Sequence, residues 1–297
     1  VHLTICIPVY QVDVTPLVHD LISQAERLSI GWDIVCMDDC SDVDIRSINR
    51  PVLQTLYNVS YIELSENLGR SKIRNWLAKT ARGSHLLYID ADSGIVSNDY
   101  LQRYADHLPA DAIYGGRTYQ QKQPSMDYLL HWRYGSRYED RSVKQRQRDP
   151  AHTFLTCNCL VSAEVVKAIP FDESINGYGY EDLVLAEYIS SAGYSIRHID
   201  NPIVHLELDN NSAFLVKSKE AIRNLHLLTR EGRLSPTRLV RWARTAIEWE
   251  VADILSRILA SVADRWIGEL KRGKGSLIKL QLLKLHWLLG IKKESSN

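Results

Sequence analysis

The chain alternates short apolar runs with amphipathic ones, and several of the apolar runs stop on carboxylates. Leu3–Val9, Asp33–Met37, Ser60–Leu64 and His85–Ile89 have the length and apolar density of buried parallel strands. Between them, Leu17–Leu28 places apolar residues at helical spacing. Gly69–Ala81 does the same with Ile73, Leu77 and Ala81, and Gly83 stands where that helix should stop. A β-α-β-α-β order implies a parallel sheet with right-handed crossovers, the α/β class. Such sheets bind ligands at the carboxyl ends of their strands. Acidic residues sit there: Asp38-Asp39-Cys40-Ser41-Asp42 after the second strand and Asp90-Ala91-Asp92 after the fourth. A third acidic pair, Glu181-Asp182, follows Gly177-Tyr178-Gly179-Tyr180. Carboxylates one residue apart beyond a strand end share a side, and their repulsion favours a divalent cation between them.

The rest of the chain divides by character. Residues 116–150 are polar and rich in Arg, Lys, Tyr and Gln. They read as a long loop or loosely helical lid. Phe154–Val161 is strand-like, Ala163–Ile169 a short helix stopped by Pro170, and Glu181–Ala192 a helix closed by Gly193. Tyr194–Ile199 and Pro202–Leu206 are expected to finish the sheet. From about 213 the chain is helical, and Ile247, Val251, Ile254, Ile258 and Val262 form one stripe of a single amphipathic helix. The expected organisation is a domain over 1–212, with halves 1–115 and 116–212, and a basic helical appendage over 213–297.

Charge follows the same division. The chain is formally neutral, with 36 basic and 36 acidic side chains, but residues 1–216 carry 19 basic against 28 acidic. Residues 217–297 therefore carry 17 against 8, a net +9 facing a net −9. Overall neutrality argues against a nucleic-acid partner. The split argues for an interaction surface in the basic part. The five cysteines, Cys6, Cys36, Cys40, Cys157 and Cys159, form no CxxC pair and read as buried thiols of a reducing, cytoplasmic setting. No apolar run approaches the roughly 18 residues of a membrane span. The first residues read as a core strand, not a leader.

Five motifs in order resemble an inverting family 2 glycosyltransferase of the GT-A fold. They are Ile5-Cys6-Ile7-Pro8-Val9-Tyr10, Asp38–Asp42, Glu66-Asn67-Leu68-Gly69-Arg70 leading to Arg74-Asn75, Asp90-Ala91-Asp92, and Gly177–Asp182 with His205 beyond. The resemblance covers about residues 3–207. It implies a Rossmann-like, mostly parallel sheet flanked by helices. It also implies transfer of a sugar, with inversion, from a nucleotide sugar (a UDP-sugar by the family's habits) to a hydroxyl of a glycan or lipid-linked glycan. Asp90-Ala91-Asp92 matches the DXD motif: Asp92 would ligate Mn²⁺ or Mg²⁺ on the donor diphosphate, Asp90 would lie near the ribose or sugar and the metal, and His205 matches a third ligand. Asp182 matches the catalytic base, with Glu181 positioning the acceptor or bracing Asp182. Gly177, Tyr178, Gly179 and Tyr180 would meet the acceptor. Pro8, Tyr10, Asp39, Arg70, Arg74 and Ala91 would line the donor, Tyr10 stacking on the base and Asp39 reading its edge, while Asn67 and Gly69 shape a turn. Cys40 stands where relatives commonly have Gly or Asn.

Other readings remain open on sequence alone. A non-catalytic nucleotide-sugar binder or a nucleotidyltransferase could use the same sheet, although Pro8-Val9-Tyr10-Gln11 lacks a Gly-rich phosphate loop. Tyr88-Ile89-Asp90-Ala91-Asp92-Ser93 also has the look of a haloacid-dehalogenase nucleophile strand, in the wrong place along the chain. In the basic part, Leu277–Leu289 is Leu-rich but broken by Lys279 and Lys284. Trp242, Trp249, Trp266 and Trp287 are interfacial candidates. An anionic membrane surface, on the inner face of the cell membrane, competes there with internal packing and homo-oligomerisation.

Overall fold

A computed structural model describes residues 1–294, and the last three positions of the basic region lie outside the described residues. Ten strands and twelve α-helices are present among them. The strands are β1 His2–Val9, β2 Gly31–Asp38, β3 Val59–Glu63, β4 His85–Ile89, β5 Ser93–Ile95, β6 Ala112–Tyr114, β7 Arg117–Tyr119, β8 Asn158–Ser162, β9 Ile196–His198 and β10 Ile203–His205. The helices are α1 Thr15–Ala25, α2 Val43–Leu53, α3 Arg70–Thr80, α4 Tyr100–Ala105, α5 Leu129–Tyr138, α6 Val143–Arg146, α7 Ala163–Ala168, α8 Glu181–Ser191, α9 Asn211–Arg230, α10 Arg238–Glu248, α11 Ala252–Lys271 and α12 Leu277–Glu294.

The main sheet has the order β3-β2-β1-β4-β8-β6-β9, and only β8 runs against the others. Both faces are covered, which is why its central strands are continuously apolar. Alternate residues go to opposite faces. Leu3, Ile5, Ile7, Ile34, Leu87 and Ile89 pack with α1 and α4, while Cys6, Val35, Met37, Leu86 and Tyr88 pack with α3, α7 and α8. The register pairs Val9 with Asp38 and Asp38 with Glu63, so the carboxyl ends of β1, β2 and β3 finish level.

Two compact units emerge. The first comprises Val1–Gln120, Glu139–Ile175 and Glu181–Glu207, and it contains both sheets. The second comprises Gln121–Tyr138, Asn176–Tyr180 and everything from Leu208. Its core joins Leu130 of α5 to Phe214 and Leu215 of α9, Ala263 and Leu270 of α11, and Leu280 and Leu283 of α12.

Several local expectations need correction. Residues 116–150 hold β7, a 3-10 turn over Met126–Tyr128, α5 and α6. The helix α5 is specified by tertiary packing of Leu129, Leu130 and Gly135, which its polar composition hid. The expected strand over Phe154–Val161 begins only at Asn158, after a 3-10 turn. Pro202–Leu206 yields β10, but β10 leaves the main sheet and sits between β5 and β7 in a small second one. The stripe from Ile247 to Val262 is not one helix. Glu250 adopts φ 58°, which ends α10 and starts α11. Ile247, Val251, Ile254 and Ile258 are exposed, and α11 buries Ser256, Leu259, Ala263 and Leu270 instead.

All five cysteines are free thiols, four of them buried and Cys40 half-buried at φ 66°. No described helix is long and apolar enough to cross a membrane. The basic cluster of the supposed lid includes a structural staple. Arg146 is buried and donates to the carbonyls of Arg141, Tyr114, Gly115 and Ile199, with its guanidinium 4.9 Å from the Tyr114 ring centre. Arg146→Met orphans these carbonyls and should lower unfolding stability by about 3 kcal/mol in urea titration, while the exposed Arg148→Met should change it by less than about 0.5 kcal/mol.

Candidate active site

The level strand ends bring the sequence's acidic motifs to one edge of the first unit. Pro8 is the penultimate residue of β1, and Tyr10 follows the strand with its ring half exposed. The Asp39 amide donates to the Val9 carbonyl at 2.8 Å, which seats Asp39 beside this turn. Burial pushes the Asp39 carboxyl up, while amide donation from Leu68 (2.6 Å) and Gly69 (3.0 Å) to its two oxygens works against the rise. Asn67 donates from Nδ2 to the Asp39 carbonyl at 2.9 Å. Gly69, at φ 79°, then turns the chain into α3. The adjacent Asp38 is wholly buried and structural. It accepts from the Ser41 amide, Arg46 Nε and the Tyr61 hydroxyl.

Helix α3 presents two arginines one turn apart. Arg74 is buried, and its Nη2 donates to Asp90 Oδ1 at 2.8 Å. Arg70 is more exposed, with Nη1 3.5 Å from Glu181 Oε1. Asp90 begins the turn after β4, anchored by its amide to the Cys157 carbonyl, and Ala91 is buried in that turn. Asp92 faces β10: its Oδ2 is 3.3 Å from His205 Nδ1, and its carbonyl accepts from the Leu206 amide. Asp92 Oδ1 is buried without a hydrogen-bond partner. Burial alone would raise the Asp92 pKa. Its close contact with His205, with the charges of Arg117 and Arg70, brings it below the ordinary carboxylate value.

Glu181 and Asp182 open α8, where the helix dipole favours acids. Glu181 is buried, and Asp182 Oδ1 accepts from the Thr156 hydroxyl. Asp182 goes the opposite way from Asp92. Burial first, then the charges of Glu181 and Asp90, push its pKa up to about 6 against the pull of Arg74 and Thr156. Asp39, Asn67, Arg70, Arg74, Asp90, Asp92, Glu181, Asp182 and His205 thus belong to the first unit.

The loop Gly177–Tyr180 belongs to the second unit. There Asn224 of α9 donates from Nδ2 to the carbonyls of Asn176 (3.0 Å) and Tyr178 (3.2 Å). A side chain on Gly177 would collide with Glu220, and one on Gly179 with Ala221, so both glycines sit hard against α9. Lys217 lies 5.5 Å from the centre of the Tyr178 ring.

Sequence reasoning missed Arg117, Glu139, Thr156 and Glu207. Arg117 Nη2 is 2.7 Å from His205 Nδ1 and its Nη1 is 3.2 Å from Glu139. Glu207 is raised by burial and by the charge of Asp92. Each is a single polar residue outside every motif, so no sequence signal marked it.

Among the described residues no cluster of three or more His, Cys, Asp and Glu side chains is arranged to hold a metal ion. The residues nonetheless fit one as a pair. An orphaned, buried carboxylate oxygen beside an imidazole nitrogen is an oxygen–nitrogen donor set suited to Mn²⁺ or Mg²⁺ when a ligand supplies the remaining oxygens.

With that geometry in view, the sequence profile described as glycosyl transferase family 2 matches residues 4–169. The chain belongs to that family. A search of the curated proteins matches none of them. Among solved structures, the chain is similar to the mannosyltransferase PcManGT from Pyrobaculum calidifontis in complex with GDP-Man and Mn²⁺. There the TM-score is 0.62 at 15% identity over 98% of this chain and 86% of that one. It is similar to S. aureus TarS 1–349 in complex with UDP-GlcNAc, with a TM-score of 0.51 at 14% identity over 99% and 92%. Against the longer S. aureus TarS chain the TM-score is 0.51 at 18% identity, covering 76% of this chain and only 40% of that one. These similarities establish the family 2, GT-A fold.

The raised Asp182 pKa has a thermodynamic consequence. The folded state resists ionising this carboxyl, so a penalty is present in full above about pH 6 and disappears as pH falls towards the ordinary carboxylate range. Asp182→Asn should therefore raise unfolding stability at pH 8 by on the order of 2 kcal/mol, with the gain shrinking to nothing near pH 4 in parallel thermal melts.

Proposed function

We propose that this protein transfers a sugar from a nucleoside diphosphate sugar to an acceptor hydroxyl, inverting the anomeric carbon. The observation that carries the reading is one edge of one sheet holding two carboxylates tuned in opposite directions. Asp182 is raised towards neutrality, and Asp92 is held ionised beside His205. Environments that push titratable groups apart are how a site separates a base from a charge-bearing ligand.

Asp182 accepts the acceptor hydroxyl's proton while that oxygen bonds to the anomeric carbon and the bond to the diphosphate oxygen breaks. Glu181 contributes charge that raises Asp182 and is itself held by Arg70. Mn²⁺ or Mg²⁺, held by Asp92 and His205 when bound, would neutralise the charge that develops on the leaving diphosphate. Asp90 is assigned to the ribose or sugar and the metal, and Arg74 orients it through their 2.8 Å pair. Arg70 supplies positive charge on the phosphate side. Tyr10 stacks on the base, Asp39 and Pro8 shape its seat, and Ala91 lets the donor approach the turn. Gly177–Tyr180 offers two tyrosines to an acceptor glycan or lipid-linked glycan.

The donor is read as a UDP-sugar. PcManGT carries GDP-Man and TarS carries UDP-GlcNAc, so both bases belong in the test. Asp92→Ala and Asp182→Asn should each reduce transfer at least a hundredfold. Asp182→Asn should keep the Mn²⁺-dependent thermal shift given by its donor, and EDTA should abolish that shift. Wild-type kcat/KM should fall about tenfold per pH unit below about pH 6. Full transfer by either variant, or a flat pH profile, would overturn these roles.

We read the protein as cytoplasmic and peripheral at the inner face of the cell membrane, with the basic helices as the contact. Burial redirects that reading within the second unit. Leu280, Leu283, Leu285, Leu288 and Leu289 of α12 are core, and Trp266 and Trp287 pack against it. The exposed apolar groups lie at the α10–α11 turn, where Trp249 is 74% exposed and Ile254 62%. Arg238 stacks 4.7 Å from the Trp242 ring centre, next to Arg241 and Arg244. The whole 297-residue chain should co-sediment with anionic vesicles, and Trp249→Ser with Ile254→Ser should weaken this at least fivefold without changing the melting temperature. A stable dimer on sizing, with no vesicle binding, would favour self-association instead.

A further inference from the structure

Three acceptors meet one donor at the Asp92–His205 pair. His205 Nδ1 lies 3.3 Å from Asp92 Oδ2, and Asp92 Oδ1 is buried and unpartnered. The donor is Arg117, on the strand paired with β10, where Tyr119 is in register with His205. Its Nη2 is 2.7 Å from His205 Nδ1. A guanidinium only donates, so in this arrangement Nδ1 is a bare lone pair and the ring proton sits on Nε2, a tautomer assigned from the hydrogen-bond network. Asp92 then faces that lone pair with no hydrogen between them. Two acceptors this close are tolerable beside a positive charge. A divalent ion would meet the need by taking both, whereas the guanidinium meets it with its charge and one hydrogen bond.

We propose that Arg117 is the resident cation of the Asp92–His205 site, a positioning residue whose guanidinium must leave His205 Nδ1 before a divalent ion can be held there. This rests on the reading that the site takes a metal. The guanidinium has somewhere to go. Nη1 already lies 3.2 Å from Glu139, whose carboxylate also accepts from the Tyr119 hydroxyl. Arg117 Nε is buried without a partner, so its present pose leaves one donor unused. Swinging towards Glu139 uses that donor and frees Nδ1. Arg117 is thus a built-in competitor that neutralises the Asp92–His205 pair and sets how tightly metal loads.

The test is Mn²⁺ binding to the full chain without donor, read by electron paramagnetic resonance of the free ion. The proteins are wild type, Arg117→Met, Arg117→Lys, His205→Ala and the doubles with His205→Ala. Arg117→Met should bind Mn²⁺ at least tenfold tighter. Arg117→Lys should bind about threefold tighter, because one ammonium cannot hold Glu139 and Nδ1 together. In the His205→Ala background both gains should vanish, since the competition is for Nδ1. Unchanged or weaker binding by the folded Arg117 variants overturns the proposal. So does a gain that persists undiminished without His205, which would make Arg117 only a distant charge. If circular dichroism finds Arg117→Met unfolded, the lysine pair decides. Absence of Mn²⁺ binding by every protein, with UDP or GDP present, overturns the metal reading itself and this proposal with it.

Discussion

The ion pair between buried Arg74 and half-buried Asp90 makes the rest of the site tenable. Asp90, Asp92, Glu181 and Asp182 converge on one sheet edge, and like charges so placed raise one another's pKa. Arg74, 3% exposed and 2.8 Å from Asp90, is the cation set beneath them, and its charge also reaches Asp182 and Glu181. A pair so largely removed from water adds little net stability, but removing Asp90 strands the buried Arg74 charge. Helix α3 exists at this angle because Ile73 and Leu77 are locked under the sheet, so packing fixes the guanidinium where the carboxylates need it.

Around that pair the site is graded. Arg70 and Arg117 stand at the margins, one on Glu181 and the other on His205 and Glu139. Asp182 lies where burial dominates and is raised, while Asp92 lies where His205 and two arginines dominate and is lowered. One kind of side chain is thereby raised towards neutrality in one place and lowered in another, with no group changed except its surroundings. The folded state carries the cost of ionising Asp182, as active sites commonly carry some instability.

Much of this was legible because it rests on patterns that survive without tertiary context. Strands β1 to β4 announce themselves as apolar runs, and their acidic ends follow from chain order. The turn at Gly69 and the position of Cys40 at φ 66° were visible as places that want Gly or Asn. What stayed hidden depended on partners distant in sequence. Helix α5 forms because Leu130 has Phe214 and Leu215 to pack on. The Ile254 and Ile258 stripe has helical spacing but points away from the core, since periodicity reveals a face without revealing what covers it. β10 joins the small sheet because β5 and β7 offer free edges. Arg117 and Glu139 acquire meaning only when β7 and β10 pair.

The central claim is that one carboxylate, Asp182, removes the acceptor proton as the sugar leaves its diphosphate in a single displacement. Proton NMR of the first product formed from an α-linked nucleotide sugar tests this most directly. The account predicts a β-anomeric product from the earliest time point, with one diphosphate released per linkage formed. An α-linked product would contradict it, since that outcome requires a different reaction course on this edge of the sheet.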